Sequence, residues 1–216
     1  MLKNGKFNEP TETVNGMILT KLKESTRQQH EQIEKTMNLL SRLHSVESYV
    51  ALLGRFYGFY APLEARLGAV EGAEQAYAAI GFDFAKRCKT HQLRADLMAL
   101  GMSADAIDKL PLCSDLPQVD GMPEAMGCWY VLEGSTLGGQ IIRREVSAKL
   151  GFVPGNGCSF FSAYGDQLGP MWKSFGAAIE KFVADSANLD CAQRVLSAAS
   201  DTFVRLDVWV AKSMAC

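Results

Sequence analysis

Residues 132–140, LEGSTLGGQ, place Gly134, Gly138 and Gly139 between an apolar WYV on one side and IIRREVSAKLG on the other. The flanks read as one long helix. Pro123 suits its first turn and Gly151 its end. An interior glycine costs a helix about 1 kcal/mol relative to alanine, so this run gives up roughly 3 kcal/mol. Two explanations stand side by side. Gly134 and Gly138 form a GxxxG pair, which lets a second helix approach closely. Alternatively, a flat ligand lies against the bare backbone, and the adjacent Gly139 widens the patch and favours a local bend. A phosphate-binding loop is excluded. Gln140 and Ile141 stand where that motif needs lysine and serine or threonine, and no strand precedes.

Working outward, strand signals are scarce and three-four apolar spacing is common, so the chain reads as an all-α single-domain helical bundle. The spacing predicts helices over 17–40, 46–67 and 82–100, a short one after Ser103, the glycine-bearing helix, and two more over 169–185 and 189–213. Ser45 is the expected cap of the second helix, and Pro62 is expected to kink or restart it. Residues 1–16 are polar and read as a disordered lead before a domain spanning 17–216. That lead has no signal-peptide core, which points to the cytoplasm.

Composition excludes several classes. With 22 basic against 24 acidic residues, the chain has no basic excess to neutralise phosphates, so no nucleic-acid partner is expected. No apolar run is long enough to span a bilayer, and no membrane partner is expected. The six cysteines make no CxxC pair, and only three histidines are present, so a zinc site is poorly supplied. Reduced, buried thiols are the plain reading.

In the first helix the apolar stripe Leu19, Leu22, Ile33, Met37, Leu40 is completed by Thr26 and His30. His30 is therefore expected to point inward. A lone inward histidine is commonly a satisfied core residue. Here Glu34, one turn on, can bond one ring nitrogen and leave the other as a lone pair, as metal-ligating histidines require. The alternative for that pair is an ordinary surface i,i+4 contact. Lys23 and Arg27 lie two turns and one turn before His30, where long stems can carry charge to the acidic edge of a ligand. A poised imidazole, nearby cations and bare backbone together suit haem, with its open axial position, apolar faces and propionates.

LKESTRQQHEQIE around His30 and YVLEGSTLGGQII at 130–142 together resemble the haem oxygenases, most of all the bacterial, biliverdin-producing kind associated with bacteriophytochromes. FFSAYG and DTFVRLDVW agree with the later helices of that family. The resemblance implies that haem is substrate and cofactor and that His30 ligates its iron, with Glu34 orienting the ring. It makes Gly134, Ser135, Gly138 and Gly139 the catalytic distal segment, sets Lys23, Arg27 and Lys173 near the propionates, and makes Phe203 a pocket wall or a core aromatic. It further implies opening of haem to biliverdin with release of CO and ferrous iron, using O2 and electrons from a donor such as ferredoxin or a flavin reductase. A bacteriophytochrome is the implied acceptor of biliverdin. Animal-type members carry aspartate where this chain has Ser135, so the serine hydroxyl, backbone carbonyls and ordered water are left to relay protons. Arg143, Arg144 and Lys149 are either a docking patch for an acidic donor or a solvated face. A non-degrading haem carrier or sensor, and a bundle whose glycines merely seat a helix, remain as other readings.

Overall fold

The computed structural model describes residues 17–40 and 45–211, excluding the side chains of 38–40. The expected lead over 1–16 and the expected end of the last helix at Ser213 lie outside these residues. The architecture is all-α: α1 Met17–Ser25, α2 Arg27–Leu40, α3 Val46–Gly68, α4 Ala73–Ala79, α5 Phe84–Arg87, α6 Thr90–Ala99, α7 Ala104–Asp108, α8 Met122–Leu150, α9 Ser159–Ser162, α10 Leu168–Ala184 and α11 Cys191–Ala211. A 3-10 turn, Gly165–Gln167, leads into α10. Among the described residues, extended pairing is limited to isolated bridges at Val153.

Local sequence rules set most boundaries. Ser45 caps α3 by accepting from the Ser48 amide, and Ser103 caps α7 by accepting from Ala106. Gly151 ends α8 in the left-handed conformation, φ 74°. The single helix expected over 17–40 is two segments meeting at Thr26. Its ladder nevertheless continues, since Thr26 N donates to Leu22 O at 3.0 Å and His30 N to Thr26 O at 2.9 Å. The Thr26 hydroxyl also donates to Leu22 O, at 2.7 Å, an arrangement that bends helices.

Two expectations are corrected. Pro62 neither ends nor restarts α3, which runs unbroken through it. A proline leaves the carbonyl four residues back without its helical donor. That carbonyl, Gly58 O, accepts instead from Cys113 N at 2.8 Å, from the loop after α7. Gly58 is also where the loop comes closest, because a Cβ there would collide with Pro111 O. The helix expected over 82–100 is interrupted at Cys88 and Lys89. The Glu64 carboxylate of α3 accepts from the Lys89 and Thr90 amides at 2.6 and 3.1 Å, and so starts α6 afresh.

The core gathers Tyr49, Phe59, Leu63, Trp129 and Phe175, all fully buried. The long helices α8 and α11 make its principal helix pair. They approach at Gly127, where a Cβ would meet Val195 O, the Ala198 Cβ at 2.8 Å and the Ala199 N at 2.9 Å. The packing glycine of α8 is therefore Gly127. Gly127→Ala is expected to lower stability by about 1–3 kcal/mol through overpacking. Urea unfolding measures this, and an unchanged midpoint would show that the two helices are not in register there.

Candidate active site

A cavity of about 810 Å³ opens between α1–α2, α8 and α11, within the roughly 300–1,000 Å³ usual for cofactor sites. Because α11 packs against both α2 and α8, it forms the floor, through Phe203 and Leu206. Phe56, Phe160, Phe161 and Trp172 bring apolar surface from α3, α9 and α10. Phe160 and Phe161 belong to the FFSAYG stretch that carries the family resemblance, whereas Phe56 and Trp172 look like any other core aromatic in the sequence.

The wall made by α1 and α2 carries Lys23, Arg27, His30 and Glu34, all lining the cavity. The His30 side chain is 56% exposed, which corrects the expectation that it points into the core. Thr26, 1% exposed, takes the buried place in the stripe, and His30, four residues on, comes out at the cavity. Its ring meets Phe203 edge-on with centroids 5.8 Å apart. Nδ1 lies 3.5 Å from Glu34 Oε1, longer than a usual hydrogen bond, so the pair is a loose electrostatic contact. Nε2 is the nitrogen not turned to Glu34. Lys23 and Arg27 are exposed, and among the described residues neither is held in an ion pair. This wall is itself fixed from a distance: Glu180 of α10 accepts from the Ile18 and Leu19 amides at 3.3 and 3.1 Å, holding the α1 N-terminus where a carboxylate is favourable.

On α8, Gly134, Ser135, Gly138 and Gly139 all line the cavity. A Cβ at Gly138 would meet nothing within 4 Å, and one at Gly134 or Gly139 would make only ordinary contacts with Trp172 or Phe161. Among the described residues no helix is seated on Gly134 or Gly138, so the close-packing explanation fails for that pair and holds for Gly127, while Gly139 is buried beside Phe161 of α9. The helix stays continuous through the run rather than breaking. Ser135 and Thr136 hydroxyls bond back to Leu132 O and Glu133 O at 2.7 and 2.6 Å.

Ser135 has a second partner that the sequence does not advertise. Tyr60 OH lies 2.7 Å from its Oγ. The serine proton is directed at Leu132 O, so Tyr60 is the donor and Ser135 the acceptor. Tyr60 is fully buried, and burial is the main reason its phenol pKa is raised far above the usual value. It therefore stays protonated.

Some expected residues are not brought to the site. Lys173 is exposed and does not line the cavity, because Trp172 and Phe175 set the inward face of α10 and the next position points away. In the basic run, Arg143 is half-buried and Lys149 pairs with Glu145 at 2.9 Å, leaving Arg144 as the more exposed arginine.

The family model described as Heme oxygenase matches residues 17–212. The chain belongs to that family. A solved structure, the NO- and CO-bound heme oxygenase from Neisseria meningitidis, aligns with a TM-score of 0.71 over 91% of each chain at 18% identity, a likeness of fold. No curated protein matches the chain by sequence. As a haem oxygenase, the enzyme acts on haem with O2 as co-substrate, in a family that holds haem through histidine. The residues present fit that group: an imidazole with one unengaged nitrogen, bare backbone on another wall, and two cations. Among the described residues, no helix is long and apolar enough to cross a membrane.

Gly138→Ala offers a direct check of this geometry. With open space at its Cβ, the substitution should stabilise the ligand-free protein by about 1 kcal/mol through helix propensity. Thermal unfolding reads the gain, and a loss would mean that something packs on Gly138.

Proposed function

We propose that His30 is the haem-iron ligand, with haem lying between His30 and the glycine face of α8, and that the enzyme opens haem to biliverdin with release of CO and ferrous iron. The observation that carries the reading is the shared cavity, lined by the imidazole and by a helix segment stripped of side chains. When bound, haem supplies both the iron at which O2 is reduced and the macrocycle that is oxidised. The protein supplies orientation and protons.

Glu34 lies beside Nδ1, which leaves Nε2 to serve as the iron ligand. Lys23 and Arg27 receive the propionate edge through charge-assisted bonds. Gly134, Gly138 and Gly139 let a flat face approach the helix backbone. Ser135 stands at the cavity with Tyr60 donating to it from behind. If its own O–H turns from Leu132 O toward the cavity, Ser135 becomes a hydrogen-bond donor there while still accepting from Tyr60, which keeps its proton and polarises the serine hydroxyl. The aromatic wall of Phe160, Phe161, Trp172 and Phe203 limits water around the reacting edge.

Electrons come from an external donor, a ferredoxin or a flavin reductase. Arg144 offers an acidic donor a positive contact, and biliverdin passes to an acceptor such as a bacteriophytochrome. Location in the cytoplasm is supported by the reduced thiols of Cys88, Cys128, Cys158 and Cys191.

Hemin titration followed by reductant and O2 tests the reading. The native protein should give a Soret band that is replaced by biliverdin absorption, and His30→Ala should lose the native band. A band indifferent to His30→Ala removes His30 as the ligand, while a haem spectrum that persists after reduction removes the degrading activity. Lys23→Glu with Arg27→Glu should weaken hemin affinity about tenfold or more, since bonds to charged groups contribute roughly 1.5–3 kcal/mol. Tyr60→Phe should leave hemin affinity near native and slow biliverdin formation about ten- to a hundredfold. Equal rates would remove the support that Tyr60 gives to Ser135.

A further inference from the structure

The distal wall is joined from behind by a buried ionic cluster that lines no part of the cavity. Its centre is Glu133, 1% exposed and one residue before Gly134. Glu133 Oε2 pairs with Arg87 Nη1. Oε1 accepts from Tyr164 OH at 2.6 Å and lies 3.4 Å from Lys89 Nζ. Lys89 in turn donates to Tyr164 OH at 2.7 Å, and its own amide donates to Glu64. Arg87 continues outward to Ser174 Oγ at 2.8 Å and Met171 O at 3.4 Å.

The elements tied together are telling. Glu64 lies on α3, which also holds Tyr60, and Glu133 lies on α8 beside Ser135. Tyr164 follows α9, the helix of Phe160 and Phe161. Met171 and Ser174 flank Trp172 on α10. All four elements build the side of the cavity away from His30. The backbone accepts strain to complete the knot: Ala163, next to Tyr164, has a φ of 36°, the only positive value among described non-glycine residues.

A buried charge cluster is a poor way to add stability, and an apolar replacement often does as well. What it supplies is a fixed geometry. Along Gly134–Gly139 the cavity face of α8 has few side chains to lock its rotation, and a Cβ at Gly138 would meet nothing within 4 Å. Beyond the Tyr60–Ser135 bond and the contact of Phe161 with Gly139, restraint comes from the opposite face, where Glu133 is held by three different partners.

We propose that Glu133, held by Arg87, Lys89 and Tyr164, is the positioning residue of the distal segment, setting the height and rotation of residues 134–139 so that Ser135 and Tyr60 meet the substrate in one arrangement. The catalytic half of this inference rests on the haem-degrading reading above, whereas the mechanical half is independent of it.

Glu133→Gln keeps the shape and removes the charge, and Tyr164→Phe removes a single hydroxyl and tests the same joint if Glu133→Gln does not fold. In the haem-free protein, amide hydrogen exchange over 134–140 should quicken about tenfold in either variant, with the amides of α11 unchanged. In the hemin complex with reductant and O2, Tyr164→Phe should bind hemin within about threefold of native yet yield several-fold less biliverdin per haem consumed. A double-mutant cycle of Tyr164→Phe with Ser135→Ala should be non-additive in rate. Native-like exchange at 134–140, or uniform acceleration across the protein, overturns the positioning role. Additive rates with native product yield overturn its link to chemistry. If the native protein forms no Soret band, the haem reading fails by itself and the exchange result alone decides the mechanical claim.

Discussion

A helix that bares its backbone to a cavity gives up the side-chain packing that would hold it on that face, and α8 must remain helical while doing so. The fold meets this constraint at separate points along the helix. Toward its N-terminal end, Gly127 lets α11 come within backbone contact, which anchors α8 to the floor of the cavity. In the glycine run, the Ser135 and Thr136 hydroxyls bond back to carbonyls one turn earlier, and Glu133 is gripped from the opposite side. The same type of residue thus does opposite work on one helix. Gly127 is small so that protein can approach, whereas Gly138 is small so that protein stays away.

The facing wall is built on another principle. The α1–α2 segment is amphipathic, and Ile18, Leu22 and Thr26 bury its inner side. Gly176 of α10 leaves room for Leu19, and Glu180 of the same helix holds the first amides of α1. The polar side, with Lys23, Arg27, His30 and Glu34, is left to the cavity. A hydroxyl bonded to Leu22 O bends the chain at Thr26, between the turn that bears Lys23 and the turn that bears His30. The two walls therefore differ in kind: backbone with polar back-support on one side, exposed charged side chains on the other.

Much of this was legible in the sequence, and what was not has a common physical origin. Caps and breakers act within a few residues, so Ser45, Ser103, Pro123 and Gly151 mark real boundaries. His30 and the glycine run could be found because each breaks an apolar pattern locally. The break at 88–89 could not, because it is made by Glu64, a residue from a distant helix. Tyr60 was hidden for the same reason: its meaning lies in a contact with Ser135, 75 residues away. The inward placing of His30 failed by a matter of phase, since a helix face broad enough to hold Thr26 in the core turns the residue one turn later to its edge. Lys173, expected from the family resemblance and not from a stripe, stands exposed one position beyond Trp172 and does not line the cavity. Glu133 did leave a trace, as a lone carboxylate inside an apolar run, which asks for buried cations.

The link between Pro62, Gly58 and Cys113 has a bearing on protein engineering. A proline inside α3 is tolerated because an amide from another part of the chain takes up the carbonyl it orphans, and that amide reaches it only because residue 58 has no side chain. The three positions form a single inheritable unit. A chimera that transplants α3 without the loop after α7, or the loop without the helix, would carry a proline stripped of its compensation, and crossover points for recombining this enzyme with its relatives belong outside residues 58–113.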